Sequence, residues 1–174
     1  TARAVVKRYD GTRWQDVGGP LFLTDKISHI SLTISAFGTP YISFVKFSSY
    51  KASVMKYSVS SGWTTLGMPD FTDTVYYLSN IIADNDTSYI AYTNSIGTLT
   101  CMRYDGSSWQ AIGNTLIPSY KHSYIFPILA MNKMGIIYLG YTVSYLGNSD
   151  TVVIKKLNGS YWQNVDSSLS TTSL

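Results

Sequence analysis

The chain of 174 residues has a single cysteine, Cys101, and only two histidines, His29 and His122. One thiol excludes an internal disulfide framework and a cysteine-built zinc cage. Charged residues make up 13% of the chain, about half the share usual for soluble domains. The formal net charge is +3 and the basic residues form no runs, so the clustered basic stripe that nucleic-acid binding requires is missing. No apolar run approaches the roughly 18 residues of a membrane span, and no stretch sustains helical periodicity. No secretory leader is visible and the first residue is Thr1, as expected of a chain processed or cut from something longer. A nucleophile motif of the G-x-S-x-G kind is missing too, and the few carboxylates do not pair within a motif. The expectation is therefore a non-enzyme that needs no cofactor and no metal. A hydrolase or lyase is the remote alternative, and it would require His29 and His122 to converge with a carboxylate.

What the chain does hold is aromatic: 15 Tyr, 6 Phe and 4 Trp. Tyr, Trp, Thr, Val and Ile favour strands, and clusters of Gly, Asn, Asp and Ser between them supply turns. The class is all-β. One stretch, Lys7-Arg8-Tyr9-Asp10-Gly11-Thr12-Arg13-Trp14-Gln15-Asp16-Val17-Gly18, reads as strand, tight turn and strand, and it returns three times, at 56–67, 103–113 and 156–165. The tryptophans Trp14, Trp63, Trp109 and Trp162 are spaced by 49, 46 and 53 residues, in the range of propeller blades of roughly 40–50 residues and four strands each. A second hairpin recurs between them, carried by Tyr41-Ile42-Ser43-Phe44-Val45, Tyr89-Ile90-Ala91-Tyr92-Thr93 and Tyr138-Leu139-Gly140-Tyr141-Thr142. Each repeat thus has an A strand near Leu32–Ala36, a B strand at Tyr41–Phe47, a C strand at Ser53–Tyr57 and a D strand at Trp63–Gly67.

Four C–D hairpins but only three A–B hairpins make about three and a half four-stranded antiparallel blades. The expected division is a C–D half blade at 1–18, blades at 19–67, 68–113 and 114–166, and a polar tail at 167–174. A partial propeller of this kind is either part of a longer one or closes by association with another copy or chain. Each tryptophan, at a constant register after a turn, is expected to wedge between neighbouring blades. Cys101 shares its register with Val6, Val54 and Ile154, an inward-facing position suited to a small hydrophobe. The basic residues Arg8, Lys56, Arg103 and Lys156 share another register, read as a solvated or edge-protecting feature. Asp84-Asn85-Asp86 begins like a calcium loop but lacks the downstream glycine and bidentate glutamate, so it reads as a turn.

The Tyr-Asp-Gly-x-x-Trp-x-x-(Val/Ile)-Gly units at 9–18 and 104–113 resemble the blade repeats of secreted bacterial β-propellers, in kind like WD, kelch and tachylectin-like repeats. The WD dipeptide and the kelch double glycine are both missing. The resemblance implies an extracellular or cell-surface recognition module. Because strands alternate in direction, the D-to-A connections and B–C loops share one rim, which by fold analogy is a common ligand surface. On that rim the sequence places Asp25, Lys26 and His29, then Asp73 and Tyr76, then Lys121, His122 and Tyr124, with Tyr145 and Asn148 on a long loop. Mixed polar and aromatic side chains there suit a glycan, and next a protein ligand. The rival expectation is a structural scaffold that assembles by self-association.

Overall fold

The computed structural model describes residues 4–19, 23, 25–116, 125–143 and 151–165. Among these residues there is no helix, and hence none long and apolar enough to cross a membrane. The strands are β1 (Lys7–Tyr9), β2 (Trp14–Asp16), β3 (Ile27–Ile34), β4 (Pro40–Lys46), β5 (Ala52–Ser58), β6 (Gly62–Thr65), β7 (Val75–Ile82), β8 (Ser88–Asn94), β9 (Leu99–Tyr104), β10 (Trp109–Leu116), β11 (Ile128–Met131), β12 (Ile137–Val143), β13 (Thr151–Asn158) and β14 (Tyr161–Asn164). They form a two-stranded sheet, β1-β2, and three four-stranded antiparallel meanders, β3 to β6, β7 to β10 and β11 to β14. These are a half blade and three β-propeller blades, here called blades I, II and III.

Sequence dictates the hairpins locally. Asp10 and Asp105 open the two Tyr-Asp-Gly turns, and each Oδ1 accepts three bonds from its own turn. For Asp105 the donors are Ser107 N at 2.9 Å, Ser107 Oγ at 2.9 Å and Ser108 N at 2.8 Å. The following Gly11 and Gly106 both take φ 103°, where a side chain is strained. The Asp84-Asn85-Asp86 segment forms the β7–β8 turn, closed by Ala83 N donating to Thr87 O at 2.9 Å.

Packing follows from the position of each strand within its blade. The B strands β4 and β8 are buried on both faces, because blades stack on either side of them. They therefore read as near-continuous apolar runs rather than alternating ones. The core is divided into three apolar layers, one per junction. Val6, Ile42 and Phe44 join the half blade to blade I; Val54, Leu66, Val75 and Trp109 join I to II; Cys101, Leu129, Leu139 and Trp162 join II to III. Cys101 is fully inside its layer, and burial raises its thiol far above the ordinary range. At the inner strands Ser31 Oγ accepts from Asn80 N at 3.3 Å, and Ser79 Oγ accepts from Leu129 N at 3.1 Å, so one linkage is stamped out twice.

The tryptophans show how blades are keyed together. Trp63 Nε1 donates to Val17 O at 2.9 Å, and Trp109 Nε1 donates to Leu66 O at 3.2 Å. The residue after each acceptor is glycine, and a Cβ there would lie 2.6 Å from Trp63 at Gly18 and 3.3 Å from Trp109 at Gly67, where it would also meet Tyr104 at 2.7 Å. At Gly113 it would lie 2.4 Å from Trp162. The repeat's terminal glycine is thus the seat of the next blade's indole. Trp14 departs from the expectation: it is 65% exposed, with no preceding blade among the described residues to cover it.

Two further expectations are corrected. The A strand was expected at Leu32–Ala36 but runs earlier, from Ile27 to Ile34, with Ser35 and Ala36 already in the turn. His29 and Tyr76, expected in connections, consequently lie within β3 and β7. Both sit at register irregularities of those strands, and His29 takes φ 46°. Such bulges re-aim side chains without ending a strand, which apolar patterning does not reveal.

Candidate functional site

Each junction opens into a cleft on the rim that carries the A–B and C–D turns. Between the half blade and blade I, a cleft of about 560 Å3 is lined by Lys7, Arg8 and Val17 on one wall and by Leu32, Ile34, Phe37 and Tyr57 on the other. Between blades I and II, one of about 690 Å3 has Tyr41, Lys56 and Leu66 facing Asn85, Asp86, Thr87, Tyr104 and Asp105. Between blades II and III, one of about 440 Å3 has Tyr89, Arg103 and Ile112 facing Ile137, Leu157 and Ser160.

The three clefts are copies of one design. Strand pairing sets Lys56 opposite Tyr41 on β4 and opposite Thr64 on β6. It sets Arg103 opposite Tyr89 and Gln110, and Arg8 opposite Gln15 on the half blade. Residues directly opposite share a face, so each complete blade presents a row of tyrosine, cation and hydroxyl or amide. Blade III repeats it with Tyr138, Lys156 and Gln163. The basic register read as edge protection is therefore, at Arg8, Lys56 and Arg103, a cleft-lining position.

The clefts differ in polarity. The first is rimmed by exposed apolar groups, with Ile34 at 54% and Phe37 at 76%. The middle one gathers Lys56, Arg103, Asp86 and Asp105 with Tyr41, Tyr89 and Tyr104. Burial first, and the Asp86 carboxylate second, raise the Tyr41 hydroxyl, which stays a neutral donor. Hydrogen bonds from Arg13 and Thr12 lower Asp10 to about 2, and those from Ser108 and Ser107 lower Asp105 to about 2. Asp105 therefore remains an anion, unsuited to giving up a proton. Among the described residues no group of three or more His, Cys, Asp or Glu could hold a metal ion.

Of the rim residues singled out by sequence, the described ones, Asp25, Lys26, His29, Asp73 and Tyr76, lie toward the opposite ends of the strands, and none of them lines these three clefts. Asp25 and Lys26 precede β3; Lys26 Nζ stands 5.7 Å from the Phe47 ring centre. Asp73 accepts from Asn94 Nδ2 at 2.8 Å, and burial together with the Asp73 charge pushes Tyr92 up to about 12. His29 packs edge-on against Tyr77 at 5.1 Å, and Tyr77 meets Phe126 at 4.0 Å, which joins the inner strands of blades I and II to the start of blade III. Tyr76 is half exposed. Lys121, His122, Tyr124, Tyr145 and Asn148 lie outside the described residues. The clefts escaped sequence reading because their walls come from different blades; the signal that could have found them was the recurrence of one cation in one register.

No family profile matches the chain, and neither does any curated protein. Solved structures do. An α-L-arabinofuranosidase from Fusarium graminearum, bound to an iminosugar inhibitor, matches with TM-score 0.59 and 11% identity over 81% of this chain and 49% of that one. The fucose-specific lectin of Aleuria aurantia matches with TM-score 0.53 and 16% identity over 98% of this chain and 56% of that one. A fucose lectin from Kordia zhangzhouensis, in complex with methyl-fucoside, matches with TM-score 0.51 and 11% identity over 78% and 96%. The chain spans about half the length of the first two. At these identities the likeness establishes the β-propeller fold, which hosts both enzymes and lectins.

Proposed function

We propose that the chain is an extracellular carbohydrate-binding module that takes glycans in its inter-blade clefts, with the cleft between blades I and II as the principal site. The observation that carries this reading is the recurrence of one cation beside one tyrosine at successive junctions. A sugar presents hydroxyl oxygens at its edge and C–H groups on its face. Lys56 and Arg103 can donate to the first, and the Tyr104 ring offers a surface to the second. The cleft volume, about 690 Å3, is of the size that holds a small ligand. Two structural neighbours are lectins by name and one of them is in complex with a fucoside.

Binding is favoured over hydrolysis by the state of the Asp105 carboxylate. Glycoside hydrolysis asks one carboxylic acid to hold a proton near neutral pH, hence a raised pKa, whereas Asp105 is lowered to about 2 by its own turn. Repetition of the site along the stack suits multivalent capture of branched or surface-bound glycans, where linked weak sites gain in apparent affinity.

A glycan array followed by titration calorimetry tests the reading. Lys56→Ala, removing a charged donor worth about 1.5–3 kcal/mol, is expected to weaken the best ligand roughly ten- to hundredfold. If no glycan binds at millimolar concentration, the reading fails. It fails equally if Asp73→Asn abolishes binding while Lys56→Ala does not, because the ligand would then sit on the opposite rim.

A further inference from the structure

Three Tyr–Trp pairs are built alike. Ring centres lie 5.5 Å apart in Tyr9–Trp14, Tyr57–Trp63 and Tyr104–Trp109, with interplanar angles of 51°, 52° and 51°. In the second and third pairs the indole N–H is received by the carbonyl of an apolar residue in the preceding outer strand, and the ring rests on the glycine that follows. In the first pair Tyr9 is 53% and Trp14 65% exposed, and among the described residues nothing accepts the Trp14 N–H. Among the described residues the half blade therefore carries a finished key with no lock.

A second copy of the chain would have to offer its last outer strand. Val165 N donates to Ile154 O at 3.1 Å, as Val17 N does to Val6 O at 2.8 Å and Leu66 N to Val54 O at 2.8 Å. Val165 thus holds the register of Val17 and Leu66. The next residue is glycine at 18 and 67 but aspartate at 166. The three glycine seats within the chain, Gly18, Gly67 and Gly113, are already filled by Trp63, Trp109 and Trp162.

We infer that the exposed Tyr9–Trp14 face is a docking surface for the outer strand of a propeller blade ending in an apolar residue and glycine, a sequence different from this chain's own last blade. Its carbonyl takes the Trp14 N–H and its glycine seats the ring, as the two occupied junctions do. The apolar half-blade edge then becomes an interior junction. The aspartate that follows Val165 does not supply that glycine, so the end of blade III does not match the seat.

Sedimentation of the purified chain tests this. The wild-type chain is expected to run as a single chain, because it has the key but no free seat. The probe is the chain carrying W14A and D166G, which has a seat but no key of its own. Mixing the two is expected to give a one-to-one complex and a blue shift of Trp14 emission. Replacing the wild-type partner by W14A should weaken that complex at least tenfold. The inference is overturned if the wild-type chain self-associates in a Trp14-dependent way. It is also overturned if the probe, melting like the wild-type chain, fails to bind it. Should the double variant not fold, D166G alone must self-associate and be capped to smaller species by excess wild-type chain but not by excess W14A chain; a monomeric, folded D166G overturns the inference.

Discussion

Replacing Gly113 by alanine separates the two costs that a glycine at a blade junction avoids. Gly113 takes φ 66°, and a Cβ there would lie 2.4 Å from Trp162 Nε1, 2.7 Å from Trp162 Cδ1 and 3.2 Å from Leu157 Cδ1. Gly159 takes φ 62° with nothing within 4 Å of its Cβ position. Gly159→Ala therefore pays only the left-handed backbone term of about 1–2 kcal/mol. Gly113→Ala carries that term and also displaces a packed indole, about 1–3 kcal/mol more for an overpacked site. The expected totals are about 1–2 kcal/mol for Gly159→Ala and about 2–5 kcal/mol for Gly113→Ala, read from urea unfolding midpoints at constant m-value. Adding Trp162→Ala to Gly113→Ala should cost less than the sum of the separate changes, since the clash disappears with the ring. Equal destabilisation by the two alanines would refute the account of the glycine as the indole's seat.

The same junction logic ranks the tryptophans. Trp109→Ala removes a ring stacked on Phe71 at 4.3 Å and bonded to Leu66 O, with an expected loss of about 3–5 kcal/mol, while Trp14→Ala should cost about 1 kcal/mol or less; thermal melts of the two variants check the difference. Acid should weaken the C–D turns in a defined window. The folded-state value of Asp105, about 2, lies below the ordinary 3.8 of an aspartate, so below about pH 4 the unfolded chain binds more protons and stability falls as the pH drops toward 2. A pH series of unfolding midpoints should show a shallower acid limb in Asp105→Asn, and an unchanged limb would refute the turn's electrostatic role.

Hairpins, their turn residues and the number of units were legible because they arise from neighbours in sequence. Asp10-Gly11 and Asp105-Gly106 specify turns by chemistry contained within four residues, and the Trp spacing announces a module repeated in space. The inward register of Cys101 was legible for the same reason: alternation within a strand decides which face it joins. The register irregularities at His29 and Tyr76 were not, since they change no apolar pattern, and the clefts were not legible either, because fold analogy chose among loops without knowing where walls from different blades would meet.

By itself, then, the sequence determined a stack of four-stranded units, the hairpins within them and the indole carried by each. Only the tertiary structure decided what each indole and each cation faces. Trp14 and Trp109 occupy one register of one repeat, yet the first is open and the second enclosed; Arg8, Lys56 and Arg103 line clefts only because another blade stands opposite. The physical reason is that burial belongs to pairs of surfaces, and here the second surface comes from residues nearly fifty positions away.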